Sequence, residues 1–276
     1  MASWIYNRIF IDKRDIDIVF SGASHTSCAI MDNFIETELN KHSNKKLNVA
    51  NLGYCRGGRD IQYVMLKDLF ENKKPRIIIV GVSEDELKKS HPVFPYLAST
   101  TDLFNSFVLF NQRYVSNIWK GIIVRFEYLR HLLLNTNIDT SQKFSLFGYR
   151  NSQQKVEHNI VLQNMAVWEK RLANPKQPYI RKIELNYSKH YLEKIINLAE
   201  KNNCKVLFLY LPESGSKLQE PLLLDYYKCL AEVVLLPKSI INDELNWKDA
   251  THFNDSGAIK TSQFIVEKLL DEKIKQ

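Results

Sequence analysis

Two short stretches near opposite ends of the 276-residue chain hold the side chains best suited to chemistry. The first reads Ser21-Gly22-Ala23-Ser24-His25-Thr26 and follows an apolar, β-branched run, Asp15 to Phe20. Ser24 therefore stands where a strand gives way to a helix. Backbone N–H groups and the helix dipole favour negative charge at such a point. A nucleophilic serine there would have its oxyanion held by the same N–H groups. A serine at a helix start also caps free N–H groups, so this stretch alone leaves both roles open. The second stretch runs from Trp247 to Gly257 and contains Asp249 and His252, three residues apart in a loop before the last helix. An imidazole can take a serine proton near neutral pH. A carboxylate beside it fixes the ring tautomer and stabilises the imidazolium.

The elements that must position these residues follow from hydrophobic patterning. Strands are predicted at Asp15–Phe20, Leu47–Leu52, Arg76–Val82, Lys205–Leu211 and Val233–Leu236. The run Ile77-Ile78-Ile79-Val80 is continuously apolar, as in a strand buried on both faces. Apolar residues at helical spacing mark Cys28–Leu39, Asp60–Phe70, Ser188–Asn202, Leu222–Ala231 and Ser256–Leu270. Strand and helix thus alternate about five times, which implies a parallel sheet covered by helices on both faces. In such folds chemistry gathers at the carboxyl ends of the strands. Residues 88–180 break the alternation. His91 to Pro95 is expected to be extended, because proline restricts its predecessor. Phe104–Leu134 reads as mainly helical and very apolar, either capping the sheet or meeting a membrane or partner.

Together, the G-x-S turn after the first strand and the D-x-x-H before the closing helix resemble the SGNH (GDSL-like) hydrolase family. The resemblance covers residues 15–87 and 187–271 but not the middle, and Ala23 stands where aspartate is common. It implies a flavodoxin-like three-layer α/β/α fold with a parallel sheet of about five strands. The chain would then be a single domain, 1–276, with a mainly helical insertion at 88–180. It also implies a nucleophile at Ser24, a base at His252 and an orienting acid at Asp249. Of the family's other two blocks, the first offers Gly58 as an oxyanion N–H donor beside that of Ser24, with Gly57 close behind and Gly53 serving a turn. The second normally reads G-x-N, and here Gly81-Val82-Ser83 puts Ser83 in the asparagine's place. A hydroxyl is shorter and can accept as well as donate, and loss of one oxyanion donor costs roughly 100- to 1,000-fold in rate.

The expected activity is ester hydrolysis or acyl (acetyl) transfer on an O-acylated carbohydrate through an acyl-enzyme. This resembles the polysaccharide O-acetyl esterases and transferases, and no cofactor or metal is expected. The Ser83 departure also fits a glycan-binding or assembly protein that kept the fold and lost turnover. Candidate substrate contacts are Arg59, His25 beside Ser24, and His91. Arg59 suits a carboxylate or acidic sugar, or else a surface ion pair. Glu84, Asp85 and Glu86 could hold substrate hydroxyls or a cation, or simply favour a helix start. The hydroxyl-rich Ser21–Ser27 turn also suits a nucleotide or flavin phosphate.

Composition narrows the field further. With 45% hydrophobic and 25% charged residues the chain is ordinary globular protein. Its formal net charge of +7 is modest, and its lysine runs lie between apolar segments without interleaved aromatics, so no nucleic-acid partner is expected. Four widely spaced cysteines form no CxxC pair, which argues against a zinc site. Met1-Ala2-Ser3 followed at once by Trp4 shows no signal peptide and reads as a trimmed start. An anchor upstream would place the domain outside the cytoplasm, in the cell envelope; otherwise it is cytoplasmic.

Overall fold

The computed structural model describes residues 2–271 apart from 85, 87, 107–110, 112 and 135–146. Five strands, β1 (Ile18–Ser21), β2 (Val49–Asn51), β3 (Ile77–Val82), β4 (Lys205–Tyr210) and β5 (Glu232–Leu235), form one parallel sheet in the order β2-β1-β3-β4-β5. The described helices are α1 (Ala2–Tyr6), α2 (Ser24–Ala29), α3 (Asp32–Lys41), α4 (Arg59–Asn72), α5 (Phe94–Leu97), α6 (Thr100–Phe104), α7 (Tyr114–Leu133), α8 (His158–Ala173), α9 (Pro178–Lys201), α10 (Leu224–Leu230), α11 (Lys238–Ile241) and α12 (Asp255–Asp271). The chain leaves β1 toward one edge and β3 toward the other. The crevice between their carboxyl ends is therefore a topological switch point, where open α/β sheets bind ligands.

Strand alternation sorts the core into two layers. Val19, Ile78, Val80, Val82, Phe208 and Tyr210 face one side and pack with Ile61 and Leu69 of α4 and Leu192 and Ile195 of α9. Ile18, Phe20, Ile77, Ile79, Leu207 and Leu209 face the other and pack with Ile35 of α3, Ile240 of α11 and Ile265 and Leu269 of α12. The three-layer α/β/α sandwich with a five-stranded parallel sheet is the architecture that the SGNH resemblance implies.

Two local expectations need correction. The helix predicted over Cys28–Leu39 is two helices, broken at Ile30 (φ −118°, ψ 113°). Side-chain hydrogen bonds hold the break open. The Asn51 amide donates to Thr26 O and Ile30 O at 3.0 and 2.8 Å, and Met31 N–H donates to Ser262 Oγ at 2.9 Å. The His91–Pro95 stretch turns rather than extends. Val93 is helical in backbone, and Pro95 sits in the first turn of α5, where its missing N–H is no loss. The apolar helix α7 packs on α5 and α6, burying Asn117 and Gly121 while Trp119, Phe126 and Leu133 are exposed. Among the described residues no helix is long and apolar enough to cross a membrane.

Asp32, fully buried at the start of α3, accepts from the N–H groups of Asn51, Gly148 and Tyr149 at 3.0, 2.8 and 3.3 Å. Burial pushes its carboxyl up to about 6 against the pull of these donors. The folded chain then holds this proton more tightly than the unfolded chain between about pH 4 and pH 6, so stability falls as pH rises through that window, by about 3 kcal/mol for this group. We expect Asp32→Asn to flatten that part of the stability–pH curve, as measured by urea unfolding at a series of pH values.

Candidate active site

Ser24 is the first residue of α2, at the carboxyl end of β1. Ala23 takes the cap position with an extended backbone and no side-chain cap. Ser24 is thus not the capping residue, and its hydroxyl is left for other work. The turn is tight because Thr26 wedges between the ends of β1 and β3. A Cβ on Gly22 would lie 2.0 Å from Thr26 Oγ1, and one on Gly81 would lie 2.1 Å from it. Both glycines are therefore fixed by a side chain on the same helix as Ser24. Ser21, Thr26 and Ser27 are buried, and Ser27 Oγ donates to Ser24 O at 3.0 Å. This inward orientation does not suit the phosphate-binding reading of the turn.

Asp249 and His252 lie on a loop closed like a small hairpin. Trp247 and Phe253 form an antiparallel bridge, their rings lie 4.1 Å apart, and Lys248 N–H donates to His252 O at 3.0 Å. Trp247 is buried, with its indole N–H donating to Ile241 O at 2.9 Å. Asn254 fastens the base of the loop. Its amide nitrogen reaches the carbonyls of Gln154, Leu245 and Trp247 at 3.2, 2.9 and 3.1 Å, and its Oδ1 accepts from Gly257 N–H at 3.2 Å.

This loop brings His252 to Ser24. His252 Nε2 lies 2.8 Å from Ser24 Oγ, and His252 Nδ1 lies 3.0 Å from both carboxylate oxygens of Asp249. Asp249 Oδ1 also accepts from the N–H groups of Thr251 and His252 at 2.8 and 2.9 Å and lies 3.1 Å from Thr251 Oγ1. Partial burial raises the Asp249 carboxyl, but the hydrogen bond and charge of the His252 ring and the Thr251 and His252 N–H donors outweigh it and hold the group well below the usual carboxylate range. A hydroxyl, an imidazole and an ionised carboxylate thus stand in hydrogen-bonded sequence, the arrangement for nucleophilic attack on a carbonyl.

A cavity of about 170 Å³ opens beside Ser24, lined in part by His25, Arg56, Gly57, Arg59, Ser83 and Glu86. His25 lines it and stacks on His252, ring centroids 5.1 Å apart. Gly57 lines the cavity, and Gly58 follows it as the extended cap residue of α4. Ser83 lies on the wall at the end of β3. Arg59 reaches the cavity but forms no surface pair. It is buried, bonds Glu86 through Nε and Nη2, and donates from Nη1 to Gln62 Oε1 at 2.8 Å. Burial works against its charge, yet the Glu86 carboxylate holds the guanidinium above its ordinary value. His91 is buried elsewhere and is not part of the cavity wall. Its Nδ1 accepts from Val93 N–H at 3.1 Å, and its ring meets the Tyr54 ring edge-on. Glu84 accepts from Leu222 N–H at 2.7 Å, and Asp85 lies outside the described residues. Among the described residues no cluster of three or more His, Cys, Asp or Glu could hold a metal.

Sequence reasoning missed a strap within the 88–180 insertion, residues 147–157. On one side Arg150 N–H donates to Ser27 O at 2.8 Å, and Gly148 and Tyr149 reach Asp32. On the other, Val156 N–H donates to Trp247 O at 2.9 Å, and Tyr149 OH and Ser152 N–H donate to Asp255 at 2.6 and 2.7 Å. No hydrophobic periodicity marks such a segment; apart from the Tyr149 hydroxyl, these interactions are main-chain groups meeting fixed carboxylates and carbonyls.

No family model and no curated protein matches the sequence. Similar solved structures include a protein from Bacteroides fragilis assigned as an acylhydrolase, 11% identical over 99% of this chain and 96% of its own, with a TM-score of 0.44. A lipase/acylhydrolase from Enterococcus faecalis is 13% identical over 95% of this chain and 99% of its own, with a TM-score of 0.40. An acetyl xylan esterase is 15% identical over 94% of this chain and 100% of its own, with a TM-score of 0.31. At these identities the role of each residue rests on this chain's own geometry.

The Asn254 amide gives this geometry a direct check. Asn254→Ala takes the amide away from the Gln154, Leu245 and Trp247 carbonyls, of which Trp247 O keeps the Val156 N–H, and we expect it to destabilise the fold by about 2–4 kcal/mol in chemical denaturation. It should also lower reactivity at Ser24 toward a serine-directed probe.

Proposed function

We propose that this chain is an SGNH-type serine esterase or acyl transferase acting on an O-acylated carbohydrate through an acyl-enzyme. The observation that carries the reading is the unbroken sequence of contacts from Ser24 Oγ to His252 Nε2 and from His252 Nδ1 to Asp249. In the first half-reaction His252 takes the Ser24 proton as Oγ attacks the ester carbonyl. Asp249 holds the imidazole in the tautomer whose Nε2 accepts and stabilises the imidazolium that forms. The Ser24 and Gly58 N–H groups, with Ser83 Oγ, are the assigned donors to the tetrahedral oxyanion. His252 then protonates the departing alcohol as the C–O bond breaks, leaving acyl-Ser24. Water or a sugar hydroxyl, deprotonated by His252, attacks in the second half-reaction. It releases the acid or the transferred ester and returns the proton to Ser24.

The small cavity beside Ser24 suits a short acyl group such as acetyl. The carbohydrate alcohol follows from the resemblance to polysaccharide O-acetyl esterases and transferases. Ser83, standing where the family pattern has asparagine, favours a weaker oxyanion site. It also supports a second reading, a glycan-binding or assembly protein that has lost turnover.

A fluorophosphonate probe separates the two. The enzyme reading expects Ser24 to be labelled, with labelling lost in Ser24→Ala. It also expects nitrophenyl acetate turnover that falls roughly 10⁴-fold or more in His252→Ala. Absence of both labelling and turnover in the folded protein supports the second reading. Ser83→Asn adds a committed amide donor, and we expect it to raise kcat toward nitrophenyl acetate by about tenfold or more.

A further inference from the structure

Arg56 stands out once Arg59 is accounted for. Residues Tyr54 to Gly57 form a turn closed by Gly57 N–H donating to Tyr54 O at 2.8 Å, and the turn is fixed to the nucleophile's own loop by Tyr54 N–H donating to Gly22 O at 3.0 Å. A Cβ on Gly57 would lie 3.0 Å from Gly22 O, so the two loops lie in close contact. Arg56 occupies the third position of this turn with φ 52°, a left-handed conformation that turns usually give to glycine or asparagine. An arginine kept there against its backbone preference points to use of the side chain.

That side chain is exposed and lines the cavity beside Ser24. The other Arg and Glu residues of the lining are Arg59 and Glu86, which neutralise each other in a buried pair. Among the described residues no carboxylate is within ion-pair distance of Arg56. Among the described residues the cavity lining thus carries one guanidinium, that of Arg56, with no carboxylate paired to it, and its planar fork matches a carboxylate in two parallel hydrogen bonds.

We propose that Arg56 recognises a carboxylate on the alcohol part of the ester, so that the substrate is an O-acylated acidic sugar. This rests on the esterase reading of the same site. Gly57 and Gly81 of the lining are buried and Arg56 is exposed, so the acyl carbonyl would sit against Ser24 in the inner part of the cavity and the alcohol would lie on the side of Arg56. One net positive charge fits a monoanion, whereas a phosphate dianion calls for more donors than this side offers. The anion-binding role assigned to Arg59 from sequence thus moves three residues back, to an arginine not already paired.

The test compares kcat/KM for the methyl glycosides of O-acetylgalacturonic acid and O-acetylgalactose in wild type, Arg56→Asn and Arg56→Lys. Asparagine tolerates the left-handed backbone, so the first variant removes charge without adding strain. Wild type is expected to prefer the acidic ester about tenfold or more. The preference should collapse toward one in Arg56→Asn, return in part in Arg56→Lys, and weaken with added salt. Equal turnover of both esters, or a ratio unchanged by Arg56→Asn, overturns the proposal and leaves the esterase reading intact.

A second arm is independent of turnover. Binding of methyl galacturonide, methyl galactoside and galactose 6-phosphate to the Ser24→Ala protein is followed by calorimetry. Preference for the galacturonide that is lost with Arg56→Asn supports the proposal even where Ser24 proves unreactive. Tighter binding of the phosphate, or no difference among the three, overturns it.

Discussion

Ser24 and the Asp249–His252 loop come from opposite ends of the chain, and the strap at 147–157 hydrogen-bonds to both. A relay of this kind needs its three groups held to within a few tenths of an ångström, and the sheet alone does not hold the loop, which leaves the core after β5 and α11. The strap fixes α2 and α3 through Ser27 O and Asp32 and fixes the loop through Trp247 O and Asp255. Asn254 and the Trp247–Phe253 bridge then close the loop on itself. A carboxylate stands at each anchor: buried Asp32 gathers main-chain N–H groups that would otherwise have no partner away from water, and half-buried Asp255 accepts from Ser152 N–H and Tyr149 OH.

The same site shows how a protein admits charge into a small space. Arg59 and Glu86 are both largely buried, and a pair of that kind is tolerated only where each charge meets the other with well-placed hydrogen bonds. Gln62 supplies a further acceptor to Arg59 and donates to Gly57 O at 3.0 Å, tying the pair to the cavity wall. Asp249, by contrast, stays partly open to solvent, and its charge is kept by N–H donors and the imidazole.

Much of this was legible in the sequence because it is written in periodicity. The continuous run at Ile77–Val80, the amphipathic stripe of α12 and the alternation of elements gave the sheet and its two covering layers. Ser24, Asp249 and His252 could be placed because each sits at a strand or helix boundary that patterning marks. The break between α2 and α3 was hidden because it depends on the Asn51 amide and Ser262, residues close only in the folded state. The burial of Arg59 was hidden for the same reason, since its partner Glu86 lies on another strand's loop. The conformation of Arg56 had no signal at all in residue type, because turns of this kind advertise themselves through glycine.

The wedge formed by Thr26 carries a consequence for how this turn can vary. Its side chain fills the space that a Cβ on either Gly22 or Gly81 would need, so two loops remote in sequence share one steric condition. A larger residue at either glycine calls for a smaller one at position 26. The three positions are therefore bound to drift together or not at all, however freely the rest of the rim diverges.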